Sequence, residues 1–203
     1  MTSKKTIVYS QRVEIIESYQ ERRDCADQNI PRFLGACGFI SVPVPNVVQA
    51  VEDFINTINP AGIVLTGGNS LVCYGGNAPE RDATDKKLLE IALNKRVPVY
   101  GFCRGMQSIL DYFGCRLEDV EGHVAVRHLV NGSWGEFEVN SYHNQACLQV
   151  KEPLQIAEIT EEGVIEAIEC QRYRLMATMW HPERENPFRK SDIERIQNLF
   201  NNG

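Results

Sequence analysis

Apolar runs rich in valine and isoleucine alternate along the first half of the chain with segments of helical period. This alternation is typical of an α/β domain built around a mostly parallel central sheet. The strands are predicted over residues 6–10, 39–44, 62–66 and 97–102. The helices are predicted over residues 27–37, 47–59 and 85–95. Gly38 is expected to end the first of these helices, and Thr84 to cap the third.

The pattern changes after Gly114, where short apolar stretches are separated by polar turns. These stretches predict a mixed extension of the sheet or a β-meander, with strands over residues 136–143, 148–151, 154–159, 164–170 and 175–180. Ile193, Ile196 and Phe200 recur at helical spacing, so a closing helix is predicted over residues 191–200. We therefore expect a single domain that spans residues 1–203.

Composition narrows the classes of function. The net charge of -6, without a Lys/Arg cluster, gives no electrostatic basis for binding nucleic acid, so a small-molecule partner is expected. The chain has no apolar run of about 18 residues and its start lacks the pattern of a signal peptide, so we expect no membrane span and a cytoplasmic location. Seven cysteines without a Cys-x-x-Cys pair indicate neither a disulfide framework nor a zinc ribbon, and no metal is expected.

Cys103 lies between two glycines, in Gly101-Phe102-Cys103-Arg104-Gly105, at the junction of an apolar strand and a helix predicted over residues 106–113. Small flanking residues permit the strained turn of a nucleophile elbow. The helix N-terminus there favours a thiolate, and backbone N–H groups at the same place can receive an oxyanion. The pentapeptide alone fits a buried, unreactive cysteine equally well.

His181 is the best candidate for a base among the four histidines of the chain. It directly follows the predicted strand over residues 175–180 and is fixed by Pro182. Glu183, two residues further on, is placed to orient the imidazole. The alternative at this point is a surface turn with a solvated histidine and glutamate.

Together these motifs resemble those of the class I glutamine amidotransferases, and in particular their free-standing γ-glutamyl hydrolase branch. The resemblance runs from Gly62 to Glu183 and rests on four motifs in the same order. It implies a flavodoxin-like three-layer α/β sandwich with a small β extension, and no metal or organic cofactor. The motifs are Arg81-Asp82, Gly101-Phe-Cys-Arg-Gly-Met-Gln107, Val139-Asn-Ser-Tyr-His-Asn-Gln145 and Trp180-His-Pro-Glu183.

The resemblance also implies roles for individual residues. The nucleophile, base and orienting acid of the family correspond to Cys103, His181 and Glu183. The oxyanion would be held by the backbone N–H groups of Gly68 and Arg104. The glutamyl amino acid end would be held by Gln107, Tyr142 and Asn144, with His143 in support.

Spacing along the predicted helix agrees with one of these roles. Gln107 lies four residues after Cys103, so one helical turn brings both side chains to the same pocket. The alternative is a polar side chain on the solvated face. For His143 the alternative is a histidine that only packs below the pocket. Whether the Arg104 side chain faces substrate or a structural carboxylate is open.

About 15 residues separate the third predicted strand from its helix, where such connections usually take about 2 to 6. The segment 69–83 is therefore predicted to be a lid or specificity loop, with Tyr74, Arg81 and Asp82 as candidate substrate or lid contacts. A long loop suits an enzyme that recognises what is attached to the glutamyl group. A solvated loop is the alternative for each residue.

Arg22 and Arg23 follow the first strand at the expected rim of the sheet, where either could bind a phosphate of the leaving group. An ordinary salt-bridged helix face is the alternative. The short chain and these arginines resemble the γ-glutamyl-CDP-amidate hydrolases of bacterial capsule-modification clusters, which implies that substrate. A γ-glutamyl-γ-aminobutyrate hydrolase, a glutaminase subunit of a two-protein amidotransferase and a non-catalytic γ-glutamyl sensor are the alternatives, and the oligomeric state is open.

Overall fold

The computed structural model describes residues 4–201; the first three and last two residues of the predicted domain lie outside that part. The strands are β1 (Thr6–Tyr9), β2 (Arg12–Ile16), β3 (Glu21–Cys25), β4 (Ile40–Pro43), β5 (Gly62–Leu65), β6 (Val99–Phe102), β7 (Glu118–Asp119), β8 (Val124–Gly132), β9 (Gly135–Tyr142), β10 (Gln145–Ala146), β11 (Gln155–Ile159), β12 (Ile165–Cys170) and β13 (Leu175–Thr178). The helices are α1 (Asn29–Ala36), α2 (Val48–Ile58), α3 (Pro79–Lys95), α4 (Arg104–Tyr112) and α5 (Lys190–Asn201).

Within this part of the chain, nine strands form one sheet in the order β4-β1-β5-β6-β13-β12-β11-β8-β9. The first five run parallel to one another, and the rest are added in antiparallel fashion. Strands β5, β6 and β13 are buried along their whole length, which explains why they read as unbroken apolar runs. The predicted mostly parallel sheet with a β extension is confirmed.

Helices cover both faces of the parallel half. Because side chains alternate along a strand, Ile7 of β1 packs on one face and Val8 on the other. Helices α1 and α5 pack with Ile7 through Phe33 and Phe200, among others. Helices α2, α3 and α4 pack on the opposite face, with Val8. The result is the three-layer arrangement that the sequence predicts.

The antiparallel half has a smaller core of its own, centred on Trp180. Trp134 and Phe137 pack edge to face against it, with ring centroids 6.0 and 5.7 Å away. Trp180 is the second residue after β13 and directly precedes His181. The antiparallel half therefore supports the chain immediately before that histidine.

One predicted helix boundary and one predicted strand are wrong. Helix α3 begins at Pro79 rather than at residue 85, because proline is well suited to the first helical position, and Thr84 is a buried residue inside the helix rather than its cap. Residues 148–151 are not a strand: the Lys151 N–H donates to Cys115 Sγ, at 3.3 Å, and a turn follows at Leu154.

Five strands were not predicted by the pattern: β2, β3, β8 and the short paired strands β7 and β10. Strands β2 and β3 form a separate hairpin that carries little buried surface, so it lacks an apolar face. Strand β8 pairs with β9 over nearly its whole length, yet seven of its nine residues are exposed. Pairing of backbone groups, rather than burial, accounts for both.

No helix in the described range 4–201 has the length and apolar character needed to cross a membrane.

Candidate active site

Cys103 lies in a sharp turn between β6 and α4, at the carboxyl edge of the parallel strands. Its backbone has φ 51° and ψ -115°, a combination that a residue with a side chain rarely adopts. The turn requires glycine two residues later: a Cβ on Gly105 would lie 1.9 Å from the Leu65 carbonyl oxygen. The turn of a nucleophile elbow is therefore present, with the thiol at a helix N-terminus.

His181 and Glu183 form a hydrogen-bonded pair beside this turn. The distance between His181 Nδ1 and Glu183 Oε1 is 2.7 Å, and both side chains are almost completely buried. Asn140 of β9 fixes the backbone of His181 by accepting from its N–H and donating to its carbonyl, each at 2.9 Å. The ring position is thus set by the antiparallel half of the sheet.

Cys103 lies beside the His181 imidazole: both residues line one cavity, and a Cβ on Gly67 would lie 2.8 Å from His181 Cε1 and 3.5 Å from Cys103 Cβ. Burial opposes a charged imidazole, but Cys103 and then Glu183 outweigh it and raise the pKa of His181 to about 9. A carboxylate on Nδ1 and a thiolate on the other side both favour the imidazolium form. Glu183 thus holds His181 beside Cys103, at one end of the cavity that both line.

Gly68 and Arg104, whose backbone N–H groups are the predicted oxyanion donors, both line the cavity beside Cys103. Arg104 is the first residue of α4, so its N–H is one of the first-turn donors that have no acceptor within the helix. Gly68 has φ +85° and belongs to the loop after β5. Its carbonyl accepts a hydrogen bond from the Arg81 guanidinium, which fixes the orientation of this loop.

Arg81 does not lie where a substrate contact was expected. Its side chain is fully buried and donates to the backbone carbonyls of Gly68 and Thr66, the latter at 2.6 Å. The expectation fails because residues 79–83 belong to helix α3, which turns Arg81 inwards. Arg81 instead holds the Gly68 loop.

The Arg104 side chain faces structural carboxylates rather than a substrate. Its buried guanidinium donates to Asp82 and Asp85 of α3. Asp82 also accepts from the Val72 N–H, at 2.8 Å, and Tyr74 packs on the core while its hydroxyl accepts from the Leu117 N–H. Tyr74 and Asp82 therefore shape the segment 66–78 and are not free lid contacts.

A cavity of about 360 Å³ opens onto Cys103 and His181. Gln107 lines it as predicted and donates from Nε2 to the Gln145 carbonyl, at 2.9 Å. The remaining predicted substrate residues, Tyr142, His143 and Asn144, belong to the segment 142–145 on the opposite wall. Tyr142 and Asn144 are exposed, whereas the His143 side chain turns inwards to Glu166.

The two arginines proposed for the leaving group are already paired. Arg22 donates to Glu80 at 2.5 Å and to the Asn77 carbonyl, and Arg23 donates to Glu21 at 3.0 Å. Both lie on β3 of the exposed hairpin rather than on a helix face. Their side chains are therefore occupied by intramolecular contacts.

Sequence reasoning missed two other arginines at the rim of the site. Arg12 of β2 lies over Gly68 and pairs at 2.6 Å with the exposed Glu14. Arg184 lies directly after Glu183, with its guanidinium 4.3 Å from the centre of the Tyr142 ring. Both line a hollow that also contains His181. Arg184 directly follows the predicted acid Glu183, so the sequence alone could have placed it at the site. Arg12 could not be placed in this way, because its position depends on the hairpin that was not predicted.

The family model for class-I glutamine amidotransferases matches residues 21–199. The γ-glutamyl-CDP-amidate hydrolase of Campylobacter jejuni is 31% identical over 87% of this chain and 89% of its own length. The γ-glutamyl-γ-aminobutyrate hydrolase of Escherichia coli O157:H7 is 29% identical over 60% of this chain and 63% of its own. A crystal structure from Thermoplasma acidophilum, described as that of a GMP synthase subunit, superposes with a TM-score of 0.74 at 17% identity, covering 98% of this chain and 94% of that one.

Proposed function

Because the chain belongs to the class-I glutamine amidotransferase family, we propose that it hydrolyses the amide bond between a γ-glutamyl group and a leaving nitrogen. One observation carries this proposal. Cys103 has a positive φ at a strand-to-helix turn and lines the same cavity as His181, which is itself held by Glu183. This arrangement supplies a nucleophile, a base and an orienting carboxylate at one cavity.

The reaction follows from that geometry. The Cys103 thiolate attacks the γ-carbonyl carbon of the glutamyl group, and the oxyanion that forms accepts hydrogen bonds from the Gly68 and Arg104 N–H groups. The His181 imidazolium then gives its proton to the leaving nitrogen, and the C–N bond breaks to leave a thioester. Water, deprotonated by His181, hydrolyses the thioester and releases glutamate.

The remaining pocket residues serve binding. Gln107 and the exposed Tyr142 and Asn144 are positioned around the cavity to hold the amino and carboxyl groups of the glutamyl end. His143 supports this wall from below, through its contact with Glu166.

For the leaving group we propose a cytidine diphosphoramidate, so that γ-glutamyl-CDP-amidate yields CDP-amidate and glutamate, in the synthesis of capsular polysaccharide phosphoramidate. Two observations support this substrate. The Campylobacter jejuni relative carries that name. Arg12 and Arg184 lie at the rim beside His181, where a diphosphate attached to the leaving nitrogen would emerge.

The test is glutamate release by the purified protein alone from three substrates: glutamine, γ-glutamyl-γ-aminobutyrate and γ-glutamyl-CDP-amidate. We expect strong preference for the nucleotide, and no release above background by Cys103→Ala. Preference for γ-glutamyl-γ-aminobutyrate would refute the nucleotide substrate. Release that requires an added synthase would indicate a glutaminase subunit, and no release from any substrate would contradict hydrolysis.

The rim arginines give the substrate proposal a separate test. Arg12→Gln and Arg184→Gln should each raise KM for the nucleotide by about 10-fold, since hydrogen bonds to charged groups contribute roughly 1.5–3 kcal/mol. Neither should change KM for γ-glutamyl-γ-aminobutyrate as much. Arg172→Gln is the matched control, because Arg172 is exposed in the turn that precedes β13, at the opposite edge of the sheet. Equal effects of all three variants would exclude a diphosphate contact at the rim.

A further inference from the structure

Three of the four histidines surround one carboxylate oxygen away from Cys103. His123 Nδ1 and His128 Nε2 each lie 3.4 Å from Glu166 Oε1, and His143 Nε2 lies 3.1 Å from it. The Glu166 side chain has no exposed surface, and His123 and His143 are also buried. We call these four residues the His–Glu cluster.

Hydrogen bonding does not account for the His–Glu cluster. Only the His143 contact has the geometry of a hydrogen bond. His123 Nδ1, His128 Nε2 and Glu166 Oε2 are buried and find no hydrogen-bond partner among residues 4–201. Burying a polar atom without a partner is costly, so several such atoms in one place need a common explanation.

A cation between the rings and the carboxylate would give His123 Nδ1 and His128 Nε2 the partner that they lack. Ligands at the roughly 2.0–2.1 Å typical of zinc lie about 3.4 Å apart in a tetrahedron. The three nitrogen-to-oxygen distances of 3.1–3.4 Å match that spacing. The ligand atoms of His123, His143 and Glu166 all lie within 4.8 Å of one another. His128 lies outside this group of three but beside the same oxygen, so a movement of its imidazole towards the ion would supply the fourth ligand.

We propose that His123, His128, His143 and Glu166 bind one structural Zn²⁺ ion. Three imidazoles and one carboxylate are ligands that zinc accepts, and four protein ligands would leave no position open for a substrate. The ion is separate from the Cys103 chemistry and takes no part in it. It is a property of the protein that neither the sequence pattern nor the proposed hydrolysis requires.

The ion would join three parts of the antiparallel half. His123 directly precedes β8, His128 lies within β8, His143 directly follows β9, and Glu166 lies in β12. The loop at His123 is already held in place, since its carbonyl accepts from Ser141 Oγ at 2.7 Å and from the His143 N–H at 3.0 Å. Zinc would therefore fix the segment 142–145, which forms one wall of the Cys103 cavity.

The test is a Zn²⁺ titration of the Cys103→Ser protein, because the reactive thiol is a competing zinc ligand. After chelator treatment, we expect one equivalent of Zn²⁺ to bind and to raise the melting temperature. Glu166→Gln should weaken the affinity by more than the roughly 10- to 100-fold that loss of an outer contact costs. Binding should also weaken as pH falls, because protons compete for the imidazoles.

Glu169→Gln is the matched control. Glu169 lies on the same strand as Glu166, but its carboxylate accepts from Trp134 Nε1, at 3.0 Å, outside the His–Glu cluster. The same chemical change there should leave Zn²⁺ affinity unaltered. If Glu166→Gln does not fold, as circular dichroism would reveal, His128→Gln at the partly exposed edge of the cluster replaces it.

Cobalt provides a second readout that identifies the ligands. Co²⁺ in the Cys103→Ser protein should give visible d–d absorption of tetrahedral type without a thiolate charge-transfer band, since all four ligands are nitrogen or oxygen. A thiolate band would place the ion at one of the remaining cysteines and overturn the proposal. So would a stoichiometry well below one, or equal Zn²⁺ affinity in Glu166→Gln and Glu169→Gln.

Discussion

Two groups of histidine and glutamate in this protein use the same chemistry in opposite ways. His181 has one carboxylate, Glu183, on one ring nitrogen and the Cys103 thiol on its other side. In the His–Glu cluster, Glu166 is instead shared by three imidazoles. A pair leaves a nitrogen free to move a proton, whereas a carboxylate surrounded by three rings holds strands together.

The two groups also differ in the part of the sheet that surrounds them and in their access to solvent. His181 lies at the carboxyl edge of the parallel strands, beside an open cavity. The cluster lies in the antiparallel half, largely closed to solvent. The comparison teaches that a His–Glu contact alone does not identify a catalytic base; what lies beyond the second nitrogen decides its role.

The comparison predicts the largest effect for Cys103→Ala. Without the thiol, the His181–Glu183 pair has nothing to deprotonate, so turnover should fall by roughly 10⁴-fold or more. Glutamate release measures this, with thermal melting as the check that the protein is folded. Activity within 10-fold of the unaltered protein would show that another group is the nucleophile.

Glu183→Gln should have the next largest effect. The amide still bonds His181 but no longer favours the imidazolium, so the loss of turnover should be smaller than that of Cys103→Ala by about one to two orders of magnitude. The pH profile of turnover should shift at the same time, since the pKa of His181 depends in part on Glu183. A loss as large as that of Cys103→Ala would mean that Glu183 does more than orient the ring.

Glu166→Gln, unlike the two active-site variants, should lower stability more than turnover. Removing the shared negative charge should lower the free energy of unfolding by about 1.5–3 kcal/mol, the range for hydrogen bonds to charged groups. Urea denaturation with and without chelator measures it, and Glu169→Gln serves again as the control. An unchanged free energy of unfolding in Glu166→Gln would contradict the inference that Glu166 holds these strands together.

The smallest effect concerns the pH dependence of stability, which should separate the two groups. Although burial opposes it, the contacts with three imidazoles lower the pKa of Glu166 below its ordinary 4.5, so this stability is present above pH 4.5 and lost as pH falls. His181, raised to about 9 against burial by Cys103, stabilises the fold below pH 6.5 and loses that contribution as pH rises towards 9.

Melting temperatures across this range check both signs. Glu166→Gln should flatten the acid side of the curve, and Cys103→Ala the alkaline side. If either variant changed the slope of melting temperature against pH equally on the acid and alkaline sides, the two groups would not be independent.

The sequence predicted the parallel half and the His181–Glu183 pair because the information is local. Gly101 to Gly105 and His181 to Glu183 are short segments whose spacing alone brings the groups together. The His–Glu cluster could not be predicted in this way. His123 and Glu166 lie on different elements, and only the pairing of β8, β11 and β12 brings them into contact.

The predicted lid over residues 69–83 shows a second limit. Arg81 and Asp82 were expected at a lid because the start of α3 was placed six residues too late. Arg81 is in fact buried within the helix, and Asp82 is partly buried against Arg104. The hairpin that carries Arg12 was missed because exposed strands lack the apolar alternation on which the prediction depends.

The pairing of Trp134 and Trp180 provides an intrinsic optical probe. The chain has two tryptophans, and both lie in the antiparallel core, with Trp180 adjacent to His181. Fluorescence emission of the unlabelled protein will therefore report on one place only, the junction between the imidazole and its supporting strands. Ligand binding in the Cys103 cavity and zinc binding below it can then be followed in real time without attaching a dye.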